Sequence, residues 1–201
     1  MISSPLNQYL NRINLALAEL SQSCMENGLL ALRKTIDKGG RVWIAGNGGS
    51  AATASHFATD LSRCTNSSGV PIKGISLCDN SGLITAIGND FGFDFIFSRQ
   101  LSNVSDEGDL LVVLTASGNS KNLLEVMEWA KNNRVKTIAL TGFDGGKAKD
   151  LADISIHVPT ANGDYGVAED AHSILCHFLS SQFRSDNSDQ FLTELKPNEF
   201  Y

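Results

Sequence analysis

A doubly wound α/β sandwich of three layers, built on a five-stranded parallel sheet and preceded by a long helix, is the fold this sequence predicts. Short apolar runs rich in β-branched residues recur at 41–45, 73–77, 110–115, 136–141 and 154–158. They alternate with segments near 50–63, 82–101, 120–132, 145–151 and 166–183 that are long enough to be crossover helices covering both faces of a sheet. At 201 residues, with 42% hydrophobic residues and 18 glycines, the chain buries a full core as one domain, so length alone calls for no second one.

The helix comes first. Ser4 is placed to cap it and Pro5 occupies its first position, after which Leu6, Leu10, Ile13, Leu17, Leu20 and Cys24 recur three or four apart. One long amphipathic helix is expected over residues 1–40, ending near Gly39 and Gly40. Its apolar stripe is too large to stand alone, and two uses compete for it: covering its own domain, or packing against another subunit, the reading favoured here. The sheet domain then spans 41–184. A tail at 185–201 mixes Ser, Asp, Asn and Gln with Phe191, Leu192, Phe200 and Tyr201, and reads as a docked or frayed extension.

Composition narrows the function. The 16 basic and 22 acidic residues give a formal net charge of −6, the wrong sign for a protein that grips a nucleic-acid backbone, so no direct nucleic-acid ligand is expected. Cys24, Cys64, Cys78 and Cys176 form no CxxC pair and the first residues carry no signal-peptide pattern. Four reduced thiols in a cytoplasmic protein follow. No apolar run approaches the roughly 18 to 20 residues of a membrane span, so no membrane association is expected.

Two loops carry the chemistry. The first strand runs into Gly46-Asn47-Gly48-Gly49-Ser50 and then a helix, an arrangement in which backbone amides and a helix N-terminus converge on an anion. The third strand runs into Thr115-Ala116-Ser117-Gly118-Asn119-Ser120, which places three hydroxyls in six residues at the start of another helix. Hydroxyls donate to phosphate oxygens and each helix end supplies roughly half a positive charge, so an acidic protein binds an anion here with little Lys or Arg. The plainer reading, that these hydroxyls only cap helices, is the weaker one for a cluster this dense. Neither nucleotide-binding fingerprint, G-x-x-x-x-G-K-[ST] or G-x-G-x-x-G, occurs in the right context.

These loops, with His56, Thr85-Ala86-Ile87 leading to Asn89-Asp90, and Phe97-Ser98-Arg99-Gln100, resemble the SIS family of sugar-phosphate isomerase domains, and within it the phosphoheptose isomerases. The resemblance covers nearly the whole chain. It implies that Thr115, Ala116, Ser117, Ser120 and Ser50, with Gly48 and Gly49, hold the phosphate, and that Asn47, Asn89 and Asp90 contact sugar hydroxyls. It also implies a homotetramer with sites at subunit junctions.

The family's metal site, commonly zinc, falls here on His56, Asp60, Glu169 and His177, with another divalent ion as the alternative. Residues four apart share a helix face, so His56 and Asp60 suit one ion. Glu169 and His177 are eight apart, a rise of roughly 12 Å. Glu169 is therefore expected at or before its helix start, or the ion is shared between subunits. Asp60 stands where the family has Glu and is shorter by about 1.5 Å, while Glu169 stands where it has Gln and adds a negative charge. Glu169 also counts as a substrate contact. His172 and Cys176, four apart, form a competing pair for an ion, whereas the strand residue His157 reads as structural and Asp170 as a solvated or helix-start carboxylate.

The implied reaction moves a proton between C1 and C2 of an open-chain ketose phosphate, sedoheptulose 7-phosphate, through an enediol. His177 and a carboxylate, Glu169 or Asp60, carry the proton, and a metal ion stabilises the oxyanion. Two alternatives stay open: an isomerase of another phosphosugar in surface-polysaccharide synthesis, and a non-catalytic SIS protein that binds phosphosugars or associates with a replication initiator.

Overall fold

The computed structural model describes residues 4–184, so the expected tail at 185–201 lies outside the described residues. Five parallel strands, β1 (Arg41–Gly46), β2 (Lys73–Ser76), β3 (Leu110–Thr115), β4 (Lys136–Thr141) and β5 (Ile154–His157), form one sheet in the order β2-β1-β3-β4-β5. Central β3 reads Leu-Leu-Val-Val-Leu-Thr and is buried along its whole length, as a strand covered on both faces requires. Its side chains alternate between two cores. Leu110, Val112 and Leu114 join the core on one face, and Leu111 and Val113 join that on the other.

The N-terminal segment departs from the expectation of one long helix. It folds as α1 (Pro5–Ala18) and α2 (Gln22–Asp37). Ser4 caps α1 as expected, but Ser21 opens a second helix by accepting a hydrogen bond from the Cys24 amide. Apolar spacing runs unbroken across this junction, and periodicity is blind to a change of helix direction. Ile13 and Ala16 are buried, while Leu6, Leu10 and Leu15 on α1 and Leu30 on α2 face outward.

The remaining helices are α3 (Gly49–Ser62), α4 (Ser81–Phe91), α5 (Ser98–Val104), α6 (Lys121–Asn132), α7 (Gly146–Leu151) and α8 (Tyr165–Ser181). The segment expected as one helix over 82–101 divides, because Gly92 adopts φ +99° and a 3-10 turn at Phe93–Phe95 intervenes. Residues of α1, α2, α3 and α8 pack into one core, and those of α4 to α7 into the other, giving the three layers. Among the described residues no helix is long and apolar enough to cross a membrane.

Candidate active site

The loops after β1 and β3 meet at the carboxyl edge of the sheet around a cavity of about 120 Å³. Asn47, Ser50, Thr115, Ala116, Ser117 and Ser120 line it, together with Tyr165 and Glu169 from α8, and among the described residues no Lys or Arg does. Two helices begin here. Gly48, at φ +56°, and Ser120 are the N-cap residues of α3 and α6, and neither makes a side-chain cap bond. The Ser120 hydroxyl is thus not consumed as a cap, and both helix N-termini direct amides and partial positive charge at the cavity. Glycine at position 49 leaves room for the Glu169 side chain: a Cβ there would stand 2.2 Å from the carboxylate and oblige it to shift.

Each loop is braced. Thr115 Oγ1 accepts from the Gly118 amide at 3.1 Å, and Ser117 Oγ from the Asn119 amide at 3.3 Å. Gly118, at φ +65°, lies so close to the Gly145 carbonyl that a Cβ would meet it at 1.9 Å, and its own carbonyl accepts from the Ala148 amide. The side chains of Asn47 and Asn122 exchange two hydrogen bonds of 2.9 Å, tying the first loop to α6. Asn47 is therefore a brace whose amide keeps one N–H and one lone pair for a ligand. Asn122 and the Gly145–Gly146 support escaped the sequence reading, because no local pattern marks a partner that only the fold brings near.

A second group of residues lies two turns along α8. His56 Nε2 and His177 Nε2 stand 2.8 Å apart, and Asp60 Oδ2 lies 3.5 Å from the former and 3.8 Å from the latter. Both imidazoles are about half exposed, while Asp60 is 7% exposed and also faces Ser180 Oγ at 3.5 Å and Arg184 at 3.9 Å. The donor atoms of the three lie within 4.8 Å of one another, and two imidazoles with one carboxylate are a donor set that suits zinc with positions left open. Donors around a tetrahedral zinc stand roughly 3.3 Å apart; the two Asp60 distances are slightly longer and the 2.8 Å between the imidazoles is shorter, so the donor set fits such an ion once the two rings part by about 0.5 Å.

The structure does not bring Glu169 to this group. Glu169 lies inside α8, not at or before its start, and it faces Gly49 at the other cavity. The two turns of helix between it and His177 hold the two at different levels. Nor do Asn89 and Asp90 line the cavity. They are exposed on α4, where the Asn89 amide donates to Asp90 at 2.8 Å. His172 and Cys176 are buried in the core, Asp170 accepts from Tyr9, and His157 Nδ1 pairs with Thr141 at 3.0 Å. A larger concavity of about 360 Å³, lined by Arg33, Asn66 and Arg184 among others, shares no residue with the loop cavity.

The family model described as the SIS domain matches residues 7–142. The chain belongs to the SIS domain family. Its similarity within the family lies with the phosphoheptose isomerases. It is 41% identical to that of Campylobacter concisus over 145 residues, covering 72% of this chain and 76% of the relative. With that of Helicobacter pylori strain P12 it shares 36% identity over 161 residues, 80% of this chain and 83% of the other. The structure of the phosphoheptose isomerase from Neisseria gonorrhoeae superposes with a TM-score of 0.79 at 29% identity, covering 89% of this SIS chain and 94% of that one. That from Francisella tularensis gives 0.79 at 31% identity, over 90% and 97%.

Proposed function

We propose that this protein is an aldose-ketose isomerase that interconverts sedoheptulose 7-phosphate and an aldoheptose 7-phosphate. The observation that carries the reading is α8, which places Glu169 in a hydroxyl-lined anion cavity and His177, a rise of roughly 12 Å further on, beside His56 and Asp60. An extended seven-carbon sugar phosphate measures about 10 Å from C1 to phosphorus at ordinary bond lengths. With its phosphate against Thr115, Ser117, Ser120 and Ser50, the sugar extends along α8 so that C1 and C2 lie between the Glu169 carboxylate and the imidazoles, with the carbonyl oxygen towards the latter. Binding energy at the remote phosphate then fixes the geometry of the reacting carbons.

His56, Asp60 and His177 would hold a divalent cation, with zinc the ion their chemistry favours. Bound there, it would stabilise negative charge on the sugar carbonyl oxygen. An imidazole nitrogen that serves as a ligand carries no proton, so transfer between C1 and C2 falls to a group outside that set. Glu169 is the carboxylate open to the cavity, whereas Asp60 is enclosed by two imidazoles, a hydroxyl and a guanidinium. In this reading Glu169 takes the proton from one carbon at a carboxylate oxygen and returns it to the other. Family resemblance and the outward-facing Leu6, Leu10 and Leu15 support a homotetramer, and the family supports a cytoplasmic setting.

The test is isomerisation of sedoheptulose 7-phosphate by the purified protein before chelation, after it, and after zinc is restored, with metal content measured on the same sample. Turnover that disappears and returns with the metal is expected. A metal-loaded protein with no turnover would falsify the substrate assignment, and full turnover in metal-free protein would remove the cation from the reaction.

A further inference from the structure

Helix α8 begins without support from its own cap. Asp164, the N-cap residue, makes no side-chain cap bond. Its carboxylate instead accepts from Arg12 of α1 at 2.6 Å. Six residues on, nearly two turns, Asp170 accepts from the Tyr9 hydroxyl, also at 2.6 Å. Between them lies Gly166, where a Cβ would approach the Tyr9 hydroxyl to 3.1 Å. Glycine inside a helix costs about 1 kcal/mol relative to alanine, and here it admits the tyrosine. The bracketed segment contains both α8 residues that line the anion cavity, Tyr165 and Glu169. Asp170, gripped by Tyr9, is the immediate neighbour of Glu169.

We infer that Tyr9 and Arg12 are positioning residues that clamp the first turns of α8 from outside and thereby set where the Glu169 carboxylate stands over the anion cavity. Neither touches the cavity. They act through the helix: a carboxylate three side-chain bonds from its backbone keeps its aim only if that backbone is fixed, and misplacement of about 1 Å costs on the order of 100-fold in rate. The phenol is suited to a permanent donor. Its hydrogen bond to Asp170 is the main cause that pushes the Tyr9 pKa up to about 12, so it stays protonated throughout the neutral range. The Arg12 pair is half exposed on the arginine side, so its contribution to overall stability is small. A role in placement is therefore separable from a role in folding.

The inference rests on Glu169 as the proton carrier, and its test keeps the two apart. Tyr9→Phe, Arg12→Gln and Arg12→Lys are compared with the unaltered enzyme in kcat and KM for sedoheptulose 7-phosphate. The carboxyl carbon resonance of Glu169 is read in protein labelled with ¹³C-glutamate and assigned through Glu169→Gln. Tyr9→Phe and Arg12→Gln should each shift that resonance and lower kcat by about 10-fold with KM within twofold, Arg12→Lys should restore much of the loss, and Tyr9→Phe should change nothing further in a Glu169→Gln background. An unmoved Glu169 resonance, or equal losses of kcat with and without the Glu169 carboxylate, overturns the clamp. If the unaltered protein turns over no sugar phosphate, the isomerase reading fails, while the resonance still decides the clamp.

Discussion

The hydroxyl-lined cavity and the group formed by His56, Asp60 and His177 meet α8 at two levels and are built in opposite ways. The cavity is made by backbone: two loops at a sheet edge, two helix N-termini, and bracing from Asn122 and the Gly145 loop. The histidine group is made by side chains on the surfaces of α3 and α8, two of them half exposed. A backbone site tolerates little change in shape, whereas a side-chain site changes its chemistry with one substitution. By the resemblance read from the sequence, the two loops keep the family's residues, and Asp60 and Glu169 are the positions that depart from it.

The sharpest way to break this contrast is to exchange carboxylates. Glu169→Gln should lower kcat by about 10² to 10⁴ while bound metal is retained, as loss of a general base does. If the carboxylate has moved between positions, Asp60→Glu in that background restores part of the rate. Loss of metal in Glu169→Gln, measured by atomic absorption, would show that Glu169 is a ligand after all.

On the backbone side the expected effect is on binding. Ser117→Ala with Ser120→Ala removes two hydrogen bonds to a charged group and should raise the dissociation constant for sedoheptulose 7-phosphate by about 100-fold. Calorimetry reads this directly, and unchanged affinity would place the phosphate elsewhere.

A smaller effect tests the layer between the two levels. His172 is 1% exposed on α8. Burial, opposed weakly by the Thr141 backbone, lowers its pKa from 6.5 to about 4. Because the folded value lies below the unfolded one, the unfolded chain binds the extra proton as pH falls. Stability is then complete above about 6.5 and declines down to about 4, by about 2 kcal/mol between pH 7.5 and 5. Denaturant melts should show that slope, and His172→Leu should flatten it. An equal slope in the variant would assign it to other groups.

The sequence shows the sheet and the loops more clearly than the histidine group, for physical reasons. Strands buried on both faces are written as β-branched runs, and all five fall within a residue or two of where those runs predict. Glycine and hydroxyl spacing marks the anion loops, because only small residues allow backbone to approach a ligand. The break between α1 and α2 is hidden, since Ser21 caps a helix whose apolar spacing matches the one before. That Glu169 lies inside α8 is hidden for a related reason: spacing along a helix gives rise and rotation, but not which neighbouring helix supplies the wall. Only the tertiary structure shows Gly49 beneath it.

The strand order β2-β1-β3-β4-β5 has one consequence beyond packing. From β1 the chain steps outward to β2, then returns to add β3 on the opposite side, so the connections leaving β1 and β3 part in opposite directions and open a crevice between them. The hydroxyl-lined cavity occupies that crevice. Its location is thus inherited with the topology, whatever side chains line it, while under the proposed function the reach from phosphate to reacting carbon depends on the separate layer of α3 and α8. A lineage carrying this fold is free to vary the length of its substrate, or the reaction at the far end, without relearning how to hold a phosphate.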